Sequence, residues 1–253
     1  MLDDNGLSPA RKPRETLLSV EDLHVSYGKA EVVRGASFTV GRGEFVVILG
    51  RNGAGKSTIL NAVSGLVPSR RGRVVLDGQD LSQASARARV QAGIVPVLEG
   101  HRVFTSLSVE DNLLIGTYAR NSRGDRRKLP AIYNTFPELA ESRHLQASRL
   151  SGGQQQILAV AQGIIAEPRL LLLDEPSGGL SPVLVARVLD VSQALTATGV
   201  AVLLVEQLVE KALRRADYGY LVDTGRIVGQ GSPAALREGT LLRMVYLGGS
   251  DQE

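Results

Sequence analysis

Gly50-Arg51-Asn52-Gly53-Ala54-Gly55-Lys56-Ser57 decides how this 253-residue chain is read. It fits the spacing G-x-x-x-x-G-K-[ST]. An apolar run, Phe45-Val46-Val47-Ile48-Leu49, leads in as a buried strand, and a helical pattern follows from Lys56 to Leu66. Strand, glycine loop and helix in that order are the context a phosphate-binding P-loop requires. The glycines let the main chain wrap closely, so that its N–H groups face phosphate oxygens at a helix N-terminus, where the dipole favours negative charge. Lys56 is expected to meet the β- and γ-phosphates, Ser57 to ligate Mg²⁺, and Gly50 through Thr58 to form the nucleotide cradle.

Three apolar runs are nearly continuous: Phe45–Leu49, Leu170–Leu173 and Val200–Val205. Such runs suit strands buried on both faces of a parallel sheet. Helical patterns at Ser151–Ala166 and Pro182–Ala197 separate them, so the expected class is α/β, with a P-loop NTPase core of RecA-like type. Leu17–Tyr27, Ala36–Val40 and Arg73–Leu76 read as strands close enough in sequence to pair antiparallel, which predicts a separate β subdomain. From Ala84 the strand signal fades, and Val109–Tyr118 and Pro130–Phe136 look like short helices. An inserted helical subdomain is therefore expected over about 84–165. Strands return at Tyr218–Val222 and Arg226–Gly229. Residues 16–250 are expected to form one domain behind a polar, flexible tail at 1–15.

Composition narrows the partners. The chain has no cysteine, which excludes disulfides and cysteine–zinc sites and fits a reducing compartment. No apolar stretch reaches the roughly 18 residues needed to span a bilayer. The formal charge is only +3, and Arg123-Gly124-Asp125-Arg126-Arg127-Lys128 reads as a solvated loop, so nucleic acid is not an expected partner.

Leu170–Leu173 ends in Asp174-Glu175. Successive strand residues point to opposite faces, so the two acids are expected to do different work. Asp174 suits the Mg²⁺ site of a Walker-B strand, and Glu175 suits a general base for the attacking water. Upstream, Leu150-Ser151-Gly152-Gly153-Gln154 starts a helix with Ser151 as N-cap. Two glycines after the cap open a second anion site, one without a lysine. One set of phosphates does not need two loops of one chain, so Ser151 to Gln154 are expected to serve nucleotide held by another chain.

With LSGGQ at Leu150–Gln154, between a P-loop and a Walker-B strand, the chain resembles the ATP-binding cassette family from about Leu17 onward. The resemblance implies ATP with Mg²⁺, two cassettes apposed head to tail, a signalling role for the helical subdomain, and Tyr27 stacking on adenine. Finer motifs are similar to the cassettes of branched-chain amino acid importers: Ala30–Gly35, Glu99-Gly100-His101-Arg102-Val103-Phe104, Val205-Glu206-Gln207, Ala216–Tyr220 and Tyr246-Leu247-Gly248-Gly249. That implies a second cassette, two transmembrane permease subunits, indirectly a solute-binding protein, and a peripheral place on the cytoplasmic face of the inner membrane. Cassettes serving urea and short-chain amides are related, so the solute stays open, as does a homo- or heterodimer. Departures from the general pattern include Glu99, in place of a glutamine that senses Mg²⁺ and following a two-residue insertion, Val97-Leu98. Gln207 stands for the histidine that senses γ-phosphate, Ser181 for an aspartate, and Gln162-Gly163 for Arg-Ala. They suggest an asymmetric pair of cassettes. A regulatory cassette with little hydrolysis and a soluble, non-transport cassette ATPase remain as alternatives.

Overall fold

The computed structural model describes residues 15–100, 103–119 and 124–247. The expected tail, His101, Arg102, Arg123 and Gly248-Gly249 lie outside them, apart from Glu15 of the tail. Along the chain run β1 (Thr16–Tyr27), β2 (Ala30–Gly41), β3 (Phe45–Leu49), α1 (Lys56–Ser64), β4 (Arg71–Leu76), β5 (Gln79–Asp80), α2 (Ala86–Ala92), β6 (Ile94–Val97) and α3 (Val109–Tyr118). There follow α4 (Leu129–Thr135), α5 (Pro137–Glu141), α6 (Gly152–Ile165), β7 (Leu170–Asp174), α7 (Pro182–Thr196) and β8 (Ala201–Glu206). The last are α8 (Val209–Leu213), β9 (Tyr218–Asp223), β10 (Arg226–Gly231), α9 (Pro233–Glu238) and α10 (Thr240–Leu247).

Two sheets result. One has the order β2-β1-β4-β5, with antiparallel pairing throughout. The other has the order β10-β9-β3-β8-β7-β6, in which β9 through β6 are parallel and β10 pairs antiparallel at the edge. The second sheet is buried on both sides, and the strand pleat divides its residues between two cores. Phe45, Val47, Leu49, Leu171, Leu173, Val202 and Leu204 face the core shared with α3, α6 and α7. Val46, Ile48, Leu170, Leu172, Leu203 and Val205 face the core shared with α1 and the antiparallel sheet. This is why these strands read as unbroken apolar runs. Truncating one such leucine to alanine costs about 2–5 kcal/mol.

β6 was not expected. It lies inside the stretch read as helical, yet it joins the main sheet by pairing with β7 from Ile94↔Leu170 to Val97↔Leu173. Its brevity and Pro96 hid it. As the edge strand it tolerates a residue without an N–H. The helices that leave the sheet start only after Val97. Gly163 of α6 explains the departure at Gln162-Gly163, because a Cβ there would stand 2.6 Å from Val97 Cγ2. The Gln162 amide donates to the main-chain oxygen of Asn112 at 2.8 Å, tying α6 to α3.

α1 is held at its far end by Arg89 of α2, whose side chain is 3% exposed. Its guanidinium donates to the carbonyls of Ala62 at 2.6 Å and Val63 at 2.9 Å, at the C-terminus of α1, and to those of Ser82 and Ala84. A cation suits the negative end of a helix dipole. Among the described residues no helix is long and apolar enough to cross a membrane.

Candidate functional site

The P-loop joins β3 to α1. Gly55 caps α1 with a φ of +101° and offers no side-chain cap. Only glycine adopts that conformation without strain, and it turns the first N–H groups of the helix outward. Gly50 is fixed from outside the motif: its N–H donates to the Tyr246 hydroxyl at 2.9 Å, and that hydroxyl donates to the Gly50 carbonyl at 3.2 Å. Burial pushes the Tyr246 phenol up to about 12. Ala54 is buried, and its carbonyl accepts from the N–H of Gly225.

These elements open onto a cleft of about 440 Å³ lined by Tyr27, Val32, Asn52, Gly53, Gly55, Lys56, Ser57, Thr58, Glu99, Glu175 and Gln207. Tyr27, at the end of β1, is half exposed, so its ring face is available. Gly50, Ala54 and Asp174 are buried behind the wall rather than on it, and Arg51 is exposed outside it. Ser151, Gly152, Gly153 and Gln154 form no part of it. They start α6 instead, where Ser151 Oγ accepts from Gln154 N–H and Gln154 Oε1 accepts from Ser151 N–H, a reciprocal cap.

Lys56 is 4% exposed. Its ammonium donates to the Arg51 carbonyl at 3.1 Å and stands 3.4 Å from Glu175 Oε1. Gln207 Nε2 donates to Glu175 Oε2 at 2.5 Å. Glu175 is thus gripped through both oxygens, and its N–H donates to the Val205 carbonyl at 3.0 Å. The strand pleat is not what parts it from Asp174. β7 ends at Asp174, and Glu175 sits in the left-handed region with φ +44°. A turn of the main chain, costly for glutamate, redirects its side chain.

Ser57 Oγ donates to Asp174 Oδ1 at 2.8 Å. Burial pushes the Asp174 carboxyl above the ordinary aspartate range, with the Glu175 and Glu99 charges adding to it and the Ser57 hydrogen bond opposing it. Ser57, Asp174 and Glu99 line one further cavity of about 250 Å³. The insertion before Glu99 therefore leaves it beside the other two. Among the described residues no group of three or more His, Cys, Asp and Glu is placed to hold a metal alone. A hydroxyl and a few carboxylates beside a phosphate cleft fit Mg²⁺, which keeps waters and shares its shell with substrate phosphates.

Val32, Tyr246 and Glu206 stood in the sequence only inside motifs of the family resemblance, with no role at the site. Glu206 is 1% exposed and accepts main-chain N–H bonds from Ser177, Gln207 and Leu208. Its signs in the sequence were the motif Val205-Glu206-Gln207 and a carboxylate ending an apolar run. Ser181, where an aspartate is common, caps α7 through the N–H of Leu184.

Comparison with known proteins agrees with this geometry. Residues 33–178 match the family model described as ABC transporter. The high-affinity branched-chain amino acid transport ATP-binding protein BraG of Pseudomonas aeruginosa is 36% identical, over 92% of this chain and 100% of its own length. The lipopolysaccharide export system ATP-binding protein LptB of Haemophilus influenzae is 32% identical, over 92% and 98%. The crystal structure of a nucleotide-free ATP-binding cassette from an ABC transporter superposes with a TM-score of 0.82 at 23% identity, covering 92% of this chain and 100% of that one, which speaks for the fold. A P-loop core, an antiparallel β sheet and a helical layer, with a family match over more than half its length, make this chain a member of the ABC transporter family: an ATP-binding and ATP-hydrolysing subunit of a transporter.

Proposed function

We propose that this chain energises an importer of branched-chain amino acids, seated on the cytoplasmic face of the inner membrane beneath two permease subunits that receive solute from a binding protein. The observation that carries the hydrolytic part is the convergence of Lys56, Ser57, Glu175 and Gln207 on one cleft at the N-terminus of α1. ATP lies with its adenine on Tyr27 and its phosphates along Gly50–Thr58. Lys56 exchanges Glu175 for β- and γ-phosphate oxygens. Ser57, Asp174 and Glu99 hold Mg²⁺, which when bound neutralises charge on the phosphate oxygens. The Glu175 carboxylate takes a proton from water as the water oxygen bonds to the γ-phosphorus and the bond to the β,γ-bridging oxygen breaks, releasing ADP. Gln207 orients that carboxylate and donates toward the γ-phosphate.

Ser151, Gly152, Gly153 and Gln154 serve ATP on a second cassette; that they stand outside the chain's own cleft supports this. Residues 16–250 work as one unit, with the helices after β6, up to about residue 165, as its signalling layer. Glu99, where the chain leaves β6, links closure to the permease.

Glu175→Gln should keep ATP binding and slow hydrolysis by about 10²-fold or more, the lower range for a general base. Wild-type turnover in the assembled transporter would move the base elsewhere. Similarity to BraG favours branched-chain amino acids. Similarity to LptB favours a second reading, an export ATPase. Purifying the complex from native membranes separates them. Import predicts a co-purifying solute-binding protein and ATPase activity stimulated by that protein loaded with leucine, isoleucine or valine. Stimulation by urea or short amides, or no binding protein at all, would replace the reading.

A further inference from the structure

Glu206 is the last residue of β8 and one of the most deeply buried charged groups described, at 1% exposure. A buried carboxylate is costly unless donors converge on it. Here Oε2 accepts from the N–H of Gln207 at 2.8 Å and of Leu208 at 3.1 Å. Those two bonds cap the residue's own turn. Oε1 reaches elsewhere, accepting at 3.2 Å from the N–H of Ser177, 29 residues away in the loop after β7. That is the loop that begins with Glu175.

The contacts close a ring. The main chain runs from Glu175 through Pro176 to Ser177; the Ser177 N–H meets Glu206; the main chain continues to Gln207; and the Gln207 amide returns to Glu175 Oε2 at 2.5 Å. We propose that Glu206 is a positioning residue for hydrolysis: its carboxylate clamps the loop carrying Glu175 to the turn carrying Gln207, and so holds the Gln207 amide on the Glu175 carboxylate. This rests on Glu175 being the general base.

The chemistry explains why the residue is an acid. Both oxygens are needed as acceptors, one for each loop. An amide offers one acceptor and turns an NH₂ toward N–H donors on the other side, so it frees one loop. A freed Gln207 leaves the Glu175 carboxylate without its orienting amide once Lys56 has turned to phosphate. Most ATP-facing groups, those of α1, the P-loop and Tyr27, are on other elements, and Gln207 is one contact among many in the cleft, so affinity for ATP changes little while the hydrolytic geometry is lost.

The test compares Glu206→Gln, Glu206→Asp, Gln207→Ala, the double variant Glu206→Gln/Gln207→Ala and Glu175→Gln in the full chain within its purified transporter. Glu206→Gln should lower kcat about tenfold or more, as loss of positioning does, with the Kd for ATP within about twofold of wild type. Glu206→Asp, which keeps two acceptor oxygens, should recover part of that loss. The double variant should be no slower than Gln207→Ala beyond about twofold, because the two act through one contact. Wild-type kcat in Glu206→Gln would overturn the proposal, as would multiplicative losses in the double variant. A parallel loss of ATP binding and thermal stability that Asp does not relieve would also overturn it, leaving a packing role. A slow Glu175→Gln beside a wild-type Glu206→Gln removes the clamp alone; a wild-type Glu175→Gln removes the base assignment and the clamp together.

Discussion

Two helices of this molecule begin beside glycines, and their first turns are built in opposite ways. α1 starts at Gly55, in a left-handed conformation, with no side chain to cap it. α6 starts at Ser151 with both halves of a capping box, Ser151 Oγ accepting from Gln154 N–H at 3.3 Å and Gln154 Oε1 from Ser151 N–H at 3.0 Å. The end of α1 depends on a ligand for its donors, and it adds a buried lysine to meet one. The end of α6 is complete without a ligand. Its serine contact is long for a hydrogen bond, so exchanging it for a phosphate oxygen costs little. Glycine at a helix start therefore has two meanings under the proposed function: in α1 it makes a resident anion site, and in α6 it gives room for an anion to approach an end that already satisfies itself.

Lys56→Ala attacks the first of these ends and should have the largest effect. Losing a buried cation from a phosphate site costs about 2–5 kcal/mol, so the Kd for ATP should rise at least about 30-fold by calorimetry. Unchanged affinity would mean that the open end of α1 is not the phosphate site. Ser151→Arg attacks the second end. In a complex where only this chain carries it, hydrolysis at the partner's P-loop should fall about 10²-fold, the scale of one lost oxyanion donor, while ATP binding by this chain is nearly unchanged. A lesion confined to this chain's own P-loop would refute head-to-tail pairing. Gln154→Ala sharpens the contrast most finely. It removes one capping bond, worth about 0.5–1 kcal/mol, and should lower Tm by about 2 °C. An unchanged Tm would mean that the capping box adds nothing to α6.

What the sequence revealed follows a physical pattern. The P-loop, the Asp174-Glu175 pair and the Ser151 cap were legible because each is set by neighbours within a few residues. The parallel strands were legible because burial on both faces leaves no polar alternation. β6 was not, since four residues containing a proline carry too little pattern. The ties that fix the site were hidden for a different reason. Tyr246 holds Gly50 from 196 residues away, and Glu206 holds the N–H of Ser177 across 29. Arg89 looks like any arginine on a short helix until the C-terminus of α1 is laid beside it. The pleat argument for parting Asp174 from Glu175 does not apply, because β7 ends at Asp174 and Glu175 turns at φ +44°, and a turn in the main chain cannot be seen in residue types.

That turn has an evolutionary side. A glutamate held at φ +44° gives up about 1–2 kcal/mol that glycine would keep. Selection for stability alone would drift position 175 toward glycine or asparagine, and a redesign guided by thermal melting would accept the change as an improvement. With Glu175 as the general base proposed above, the position is one where robustness and turnover pull in opposite directions, and a glutamate that persists there across descendants of this chain would mark lineages still spending ATP.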